Sequence, residues 1–164
     1  MSETLPIGVV HLDVRHGQVE ENRAALTTHA VEAARRGAKI IVAPELAVSG
    51  YSFDNRGQVS ACAEILRGPT FESLSGVAKQ YGVYIAAGIA ERDPATDIYY
   101  NTALVVGPNG ELAAHHRKVL AAERRWACPG TLSRSSLFDT PWGRVGALIC
   151  ADSYAGLLPR SLAL

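Results

Sequence analysis

Short apolar runs separated by polar, helix-periodic stretches set the pattern of this chain. Five runs rich in Val, Ile and Ala read as strands: IGVVHLDV (7–14), KIIVAPE (39–45), VYIAAGIAE (83–91), NTALVVGP (101–108) and RVGALICAD (144–152). In several of them the apolar residues are consecutive rather than alternate, which predicts strands covered on both faces. Between the first two, Val19, Leu26, Ala30, Val31 and Ala34 recur at helical spacing, so a helix is predicted over 18–36 and ended by Gly37. A second helix is predicted over 70–81, opened by Pro69-Thr70 and closed at Tyr81-Gly82. GPNGEL (107–112) reads as a tight hairpin turn in which Asn109-Gly110 supply positive φ angles. The resulting order, β-α-β-α-β-β-hairpin-β, predicts an α/β layered protein with a mixed sheet of about six strands.

The final stretch, YAGLLPRSLAL (154–164), reads as a helix just beginning. A sheet apolar on both faces needs a second covering layer. The expectation is therefore the N-terminal portion of a longer domain spanning 1–164, with a compact single-sheet domain as the alternative.

Composition narrows the function classes. The chain has 164 residues, 48% hydrophobic and 20% charged, and its 16 basic residues balance 16 acidic ones. Charge therefore gives no support for a nucleic-acid partner, which normally needs a basic surplus on one face. MSETLPIGVV has neither a basic n-region nor a long apolar h-region, so nothing in it points to export. No apolar run approaches the ~20 residues that span a bilayer. Cys62, Cys128 and Cys150 lack C-x-x-C spacing, which indicates neither a disulfide framework nor a zinc site. A reducing cytoplasm is the expected compartment. No G-x-G-x-x-G or Walker-type loop is present.

Three ionisable residues fall at predicted strand ends, where sites gather in open α/β sheets. Glu45 follows four apolar residues and a proline in IIVAPELAVSGY; partial desolvation there would raise its pKa and suit it to proton transfer. The alternative is an ordinary exposed glutamate. Lys118 lies in HHRKVLAAERRW, where its neighbours Arg117, Arg124 and Arg125 read as a solvated basic cluster. Cys150, in ALICADSYAG, is either a nucleophile at a strand-to-helix elbow or a small apolar filler. A thiol is only a few per cent ionised at neutral pH and needs a base or a nearby cation. Glu45 could take its proton, and Lys118 with the backbone N–H of Ala151 could stabilise an oxyanion. Cys62 and Cys128 read as structural. His115-His116 raises a metal ligand or a Cys–His couple, but strand neighbours point to opposite faces, so at most one could face the site.

The set resembles the nitrilase, or carbon–nitrogen hydrolase, superfamily over nearly the whole chain. APELAVSGY is similar to the family's glutamate motif, HRKVLAAERRWACPGT to its lysine motif and GALICADSYAGLLPRSLAL to its cysteine motif. YYNTALVVGPNGELAAHHRK is similar to the hairpin leading to the lysine. The resemblance implies Glu45 as general base, Lys118 as oxyanion-stabilising cation, Cys150 as nucleophile and Glu123 as a second glutamate positioning substrate and lysine. Ala151 replaces an aromatic residue common after the cysteine, which widens the pocket. The resemblance also implies an α-β-β-α sandwich, pairing into an α-β-β-α-α-β-β-α homodimer or higher homo-oligomer, with no metal or organic cofactor. Its substrate would be a small amide or carbamoyl compound. The alternatives are a true nitrile hydrolase and a non-catalytic fragment or interaction module retaining the fold.

Overall fold

A computed structural model describes residues 4–164. The first three residues of the stretch read above for a leader lie outside it. The chain forms β1 (Ile7–Val9), α1 (Val19–Arg35), β2 (Ile40–Val42), α2 (Arg56–Ser60), α3 (Pro69–Tyr81), β3 (Tyr84–Arg92), β4 (Tyr99–Val106), β5 (Leu112–Arg117), β6 (Leu137–Thr140), β7 (Gly143–Gly146) and α4 (Leu157–Ala163). Five strands make one sheet in the order β1-β2-β3-β4-β5, and β6-β7 form a separate ribbon. β1, β2 and β3 run parallel, joined by helical crossovers, while β3-β4 and β4-β5 are antiparallel.

The consecutive apolar residues divide between two faces because side chains alternate along a strand. Ile41, Ile85, Ile89 and Leu104 pack under α1 and α3 with Leu26, Ala30, Leu74 and Ala78. Their neighbours Ile40, Tyr84 and Val105 point the other way and meet Ala114 and Phe138 from β6. Fully burying a side chain of this size contributes about 1.5–3 kcal/mol, so both faces drive the fold. The ribbon β6-β7 leaves the β1-β2 edge of this second face uncovered: Ile7, Val9 and Val42 are 58%, 81% and 40% exposed.

Both predicted helices form within one or two residues of expectation, and Gly82 closes α3 in a left-handed conformation. The strands differ more. β1 stops at Val9 and β2 at Val42, with Val10 and Ala43 each donating one further N–H, to Val42 O and Ala86 O; Pro44 then has no N–H to continue the β2 ladder. The hairpin carries positive φ at Gly110 only, with a bulge between Val105 and Val106, in place of the two positive-φ residues expected at Asn109-Gly110. The apolar run at 144–152 is paired only over Gly143–Gly146, and its partner Leu137–Thr140 was not anticipated. Ala147 donates one further N–H to Ser136 O at 2.8 Å, and beyond it Ile149 is sheltered by tertiary packing rather than by strand pairing, which a run of apolar letters cannot distinguish. α2 was also missed; it is one short turn whose start is capped by Asn55 Oδ1 accepting from Gln58 N–H at 3.0 Å. Among the described residues no helix is long and apolar enough to cross a membrane.

Candidate active site

The turn after β2 places Glu45 by backbone contacts to β3. Ala43 and Ala47 donate to the carbonyls of Ala86 and Gly88, and Gly88 donates to Pro44. Leu46, fully buried, is forced to φ 47° to make this turn. The turn lies so close to β3 that a Cβ on Gly88 would come within 2.6 Å of Glu45 Cα. Only glycine lets the two backbones approach this closely.

Lys118 follows β5 directly and stays tied to β4, its N–H donating to Asn101 O at 2.8 Å. Its carbonyl accepts from Gly130 N–H, which lies hard against the Arg117 backbone. The Lys118 side chain is 3% exposed, and its Nζ donates to Glu45 Oε1 and Glu123 Oε1, both at 2.7 Å. Asn101 Nδ2 donates to the same two oxygens, at 2.6 and 3.3 Å. Tyr51 Oη completes the shell, donating to Glu45 Oε2 at 3.1 Å. Two buried acceptors here, Asn101 Oδ1 and Glu123 Oε2, lack a donor among the described residues. Each such atom costs on the order of 1–3 kcal/mol until a donor arrives.

The electrostatics reverse one expectation. Burial alone would push the Glu45 carboxyl up, but hydrogen bonds from Lys118 and Asn101 and the lysine's charge outweigh it, and its pKa is lowered. Burial would likewise push Lys118 down, yet hydrogen bonds to Glu123 and Glu45 hold it above its ordinary value. Tyr51 is raised by burial, by the Glu45 charge and hydrogen bond and by its proximity to Cys150.

Cys150 does not end a strand. It opens a 3₁₀ turn over Cys150–Tyr154, four residues beyond β7, and sits at φ 44°. Non-glycine residues rarely adopt this left-handed conformation, and such strain clusters at functional sites. Cys150 is exposed, and with Glu45 it lines one cavity of about 250 Å³ whose other walls are apolar residues of β2, β3, β4 and the 145–149 segment. Its thiol makes no hydrogen bond to Glu45 or Lys118 among the described residues. Ala151, half-buried, lies in the first turn of the 3₁₀ segment, where N–H groups lack an acceptor within the turn. The structure thus joins Glu45, Lys118 and Glu123 directly and brings Cys150 to the cavity that Glu45 lines.

Other candidates resolve differently. Arg117 is half-buried rather than fully solvated: it pairs with Glu91 and Asp93 and lies 3.9 Å over the Tyr100 ring. Hydrogen bonds to Glu91 raise its pKa further. Arg124 and Arg125 are exposed, as expected. Cys62 is buried, and burial raises its thiol pKa; Cys128 is exposed, contrary to a packed structural role. His115 is lowered by burial, and both ring nitrogens of His116 are engaged, by Ser136 and Asp152. Tyr51 and Asn101 were not singled out as site residues. The signal for Asn101 was available: a lone amide among apolar neighbours in YYNTALVV.

With this geometry in view, comparison with known proteins identifies the class. The carbon–nitrogen hydrolase family model matches residues 7–164, and the chain belongs to that family. It is 39% identical over 135 residues to a nitrilase of Pyrococcus abyssi, a match covering 81% of this chain and 50% of that protein. It is 38% identical over 131 residues to omega-amidase NIT2-B of Xenopus laevis, covering 74% and 46% respectively. The crystal structure of Saccharomyces cerevisiae Nit3, a member of branch 10 of the nitrilase superfamily, superposes with a TM-score of 0.79 at 27% identity. That match covers 95% of this chain and 60% of Nit3. The fold is therefore nitrilase-like, and the chain spans about half the length of the curated relatives it matches.

Proposed function

We propose that the protein hydrolyses a C–N bond of a small amide or carbamoyl compound through a cysteine thioester. The observation that carries this reading is the Glu45–Lys118–Glu123 cluster, whose Glu45 lines a cavity that an exposed, backbone-strained cysteine shares. Cys150 Sγ attacks the carbonyl carbon while its proton passes to the Glu45 carboxylate, whose pKa Lys118 and Asn101 hold below its ordinary value. A lysine ammonium has three donors; two are held by Glu45 and Glu123, leaving one for the oxyanion, beside the N–H of Ala151. Removing one such oxyanion donor typically costs about 3 kcal/mol in the transition state. Glu45 then returns the proton to the leaving nitrogen, and ammonia or an amine departs. Water, deprotonated by Glu45, attacks the thioester, releasing the acid and restoring the thiol. Glu123 holds Lys118 in place throughout.

The relationship to a nitrilase supports a second substrate class, since thiolate attack on a nitrile carbon uses the same three groups. Intact-mass spectrometry over a panel of small amides, carbamoyl compounds and nitriles tests the proposal. A covalent acyl adduct on Cys150 with at least one amide, absent from Cys150→Ser, is expected. Turnover surviving in Cys150→Ser, or an adduct mapped to Cys128, would overturn it. Adducts confined to nitriles would move the protein to the second class.

A further inference from the structure

Two residues beyond Cys150, Asp152 is fully buried and its carboxylate is crowded with donors. Oδ2 meets His116 Nε2 at 2.8 Å and accepts from Val119 N–H at 3.3 Å; Oδ1 accepts from Leu120 N–H at 2.7 Å. His116 Nδ1 in turn meets Ser136 Oγ at 2.9 Å. Asp152, His116 and Ser136 are 0%, 1% and 1% exposed. A carboxylate only accepts, so Nε2 of His116 carries the proton toward Asp152.

The residues involved are not scattered. Asp152 belongs to the turn that opens with Cys150, His116 lies two residues before Lys118, and Val119 and Leu120 follow it. One buried carboxylate therefore grips the backbone on one side of Lys118 and, through His116, the strand on the other. Ser136, at the entrance to β6, anchors the far end. The turn itself has little else to hold it. Its own bonds, Asp152 N–H to Ile149 O and Ser153 Oγ to Cys150 O, are internal. Left-handed backbone at a non-glycine residue is strained and persists only when the surroundings enforce it.

We infer that Asp152 and His116 are positioning residues, a buried clamp that sets the Cys150 turn in register with Lys118. The inference rests on the proposed role of Cys150. The order Ser136–His116–Asp152 also matches that of a hydrolytic triad, but a hydroxyl 1% exposed offers no nucleophile to a substrate. The clamp explains why none of these three groups reaches the cavity and yet all are held between the elements that carry Cys150 and Lys118. Misplacing catalytic groups by an ångström costs rates on the order of a hundredfold.

The three cysteines give a test with internal controls, because Cys62 is buried, Cys128 exposed and Cys150 in the site. The folded protein is labelled with limiting iodoacetamide at pH 7 and the rate at each cysteine is read by peptide mass spectrometry. In Asp152→Asn and His116→Leu, Cys150 labelling should slow by about tenfold or more, while Cys128 stays within about twofold and Cys62 remains protected. His116→Gln, which keeps an N–H donor toward Asp152, should recover most of the wild-type rate. Unchanged Cys150 labelling in His116→Leu, or equal loss in His116→Gln and His116→Leu, would overturn the clamp. If Asp152→Asn exposes Cys62 through unfolding, the His116 pair decides by the same outcomes. Wild-type Cys150 reacting no faster than Cys128 would instead refute the nucleophile itself.

Discussion

At the scale of single residues, the decisive fact is that Lys118 holds two carboxylates together in a nearly dry place. Breaking a buried ion pair by removing one partner leaves uncompensated charge and costs about 3–5 kcal/mol. Lys118→Met should lose stability of that size at pH 7, read from urea midpoints, and should also lose turnover. A loss under about 1 kcal/mol would show that the cluster is better solvated than its exposure implies. The pH dependence follows from the directions of the two shifts. Glu45 is held below its ordinary 4.5, so its contribution is full above that value and is lost as pH falls through the folded value. Lys118 is held above 10.5, so its contribution is full below that value and is lost as pH rises through the folded one. The stability gap between wild type and Lys118→Met should accordingly be flat between those limits and shrink at pH 3. A gap that widened on acidification would contradict the assignment.

At the scale of elements, the site depends on two backbone junctions rather than on any one strand. The Glu45 turn rests on β3 at Gly88, and the end of β5 rests against Gly130. A methyl group at 88 has no flexible side chain to displace; it meets the backbone of Glu45 and Leu46. Gly88→Ala should destabilise the fold by about 1–3 kcal/mol, the usual range for overpacking, and lower activity by more than its stability loss explains. Thermal melts paired with turnover at a temperature well below both midpoints would measure this. Wild-type kcat in a folded Gly88→Ala protein would show that the Glu45 turn can shift without consequence. The sequence made the helices legible because their periodicity and glycine ends are local. It did not make β6-β7 legible: LFDT is polar at two of its four residues, and GRVG is largely exposed. Their pairing is decided by Phe138 and Val145 finding the second face of the sheet.

At the scale of the whole molecule, the two sheet faces are unequal. α1 and α3 close one, whereas β6-β7 cover the other only in part and leave Ile7, Val9 and Val42 open. Contiguous apolar surface of this kind marks an interface or drives association. The 164-residue chain alone should therefore sediment above its monomer mass of 17.5 kDa, in a concentration-dependent manner, and Val9→Lys with Val42→Lys should shift it toward monomer. A cooperative monomer at high concentration would instead favour the compact single-sheet alternative. The homodimer implied by the family resemblance is a proposal that the same measurement addresses.

By itself the sequence determined the layered α/β class, the mixed sheet and both long helices, and it named Glu45, Lys118, Glu123 and Cys150 as the candidate site residues. These follow from local spacing, from capping and from the order of three motifs. Tertiary structure decided what those residues experience. Glu45 and Lys118 are 73 positions apart, and only their meeting turns the carboxyl's expected rise into a fall. Arg117 reads as one of several surface cations until β3 brings Glu91 beside it. Cys150 reads as a strand end until the chain is seen leaving its ribbon at Gly146 and bending through a left-handed residue. His116 and Asp152, 36 apart, have no reason to be paired in the sequence. Desolvation, pairing and strain are properties of neighbours in space, and those neighbours are fixed only when the sheet assembles.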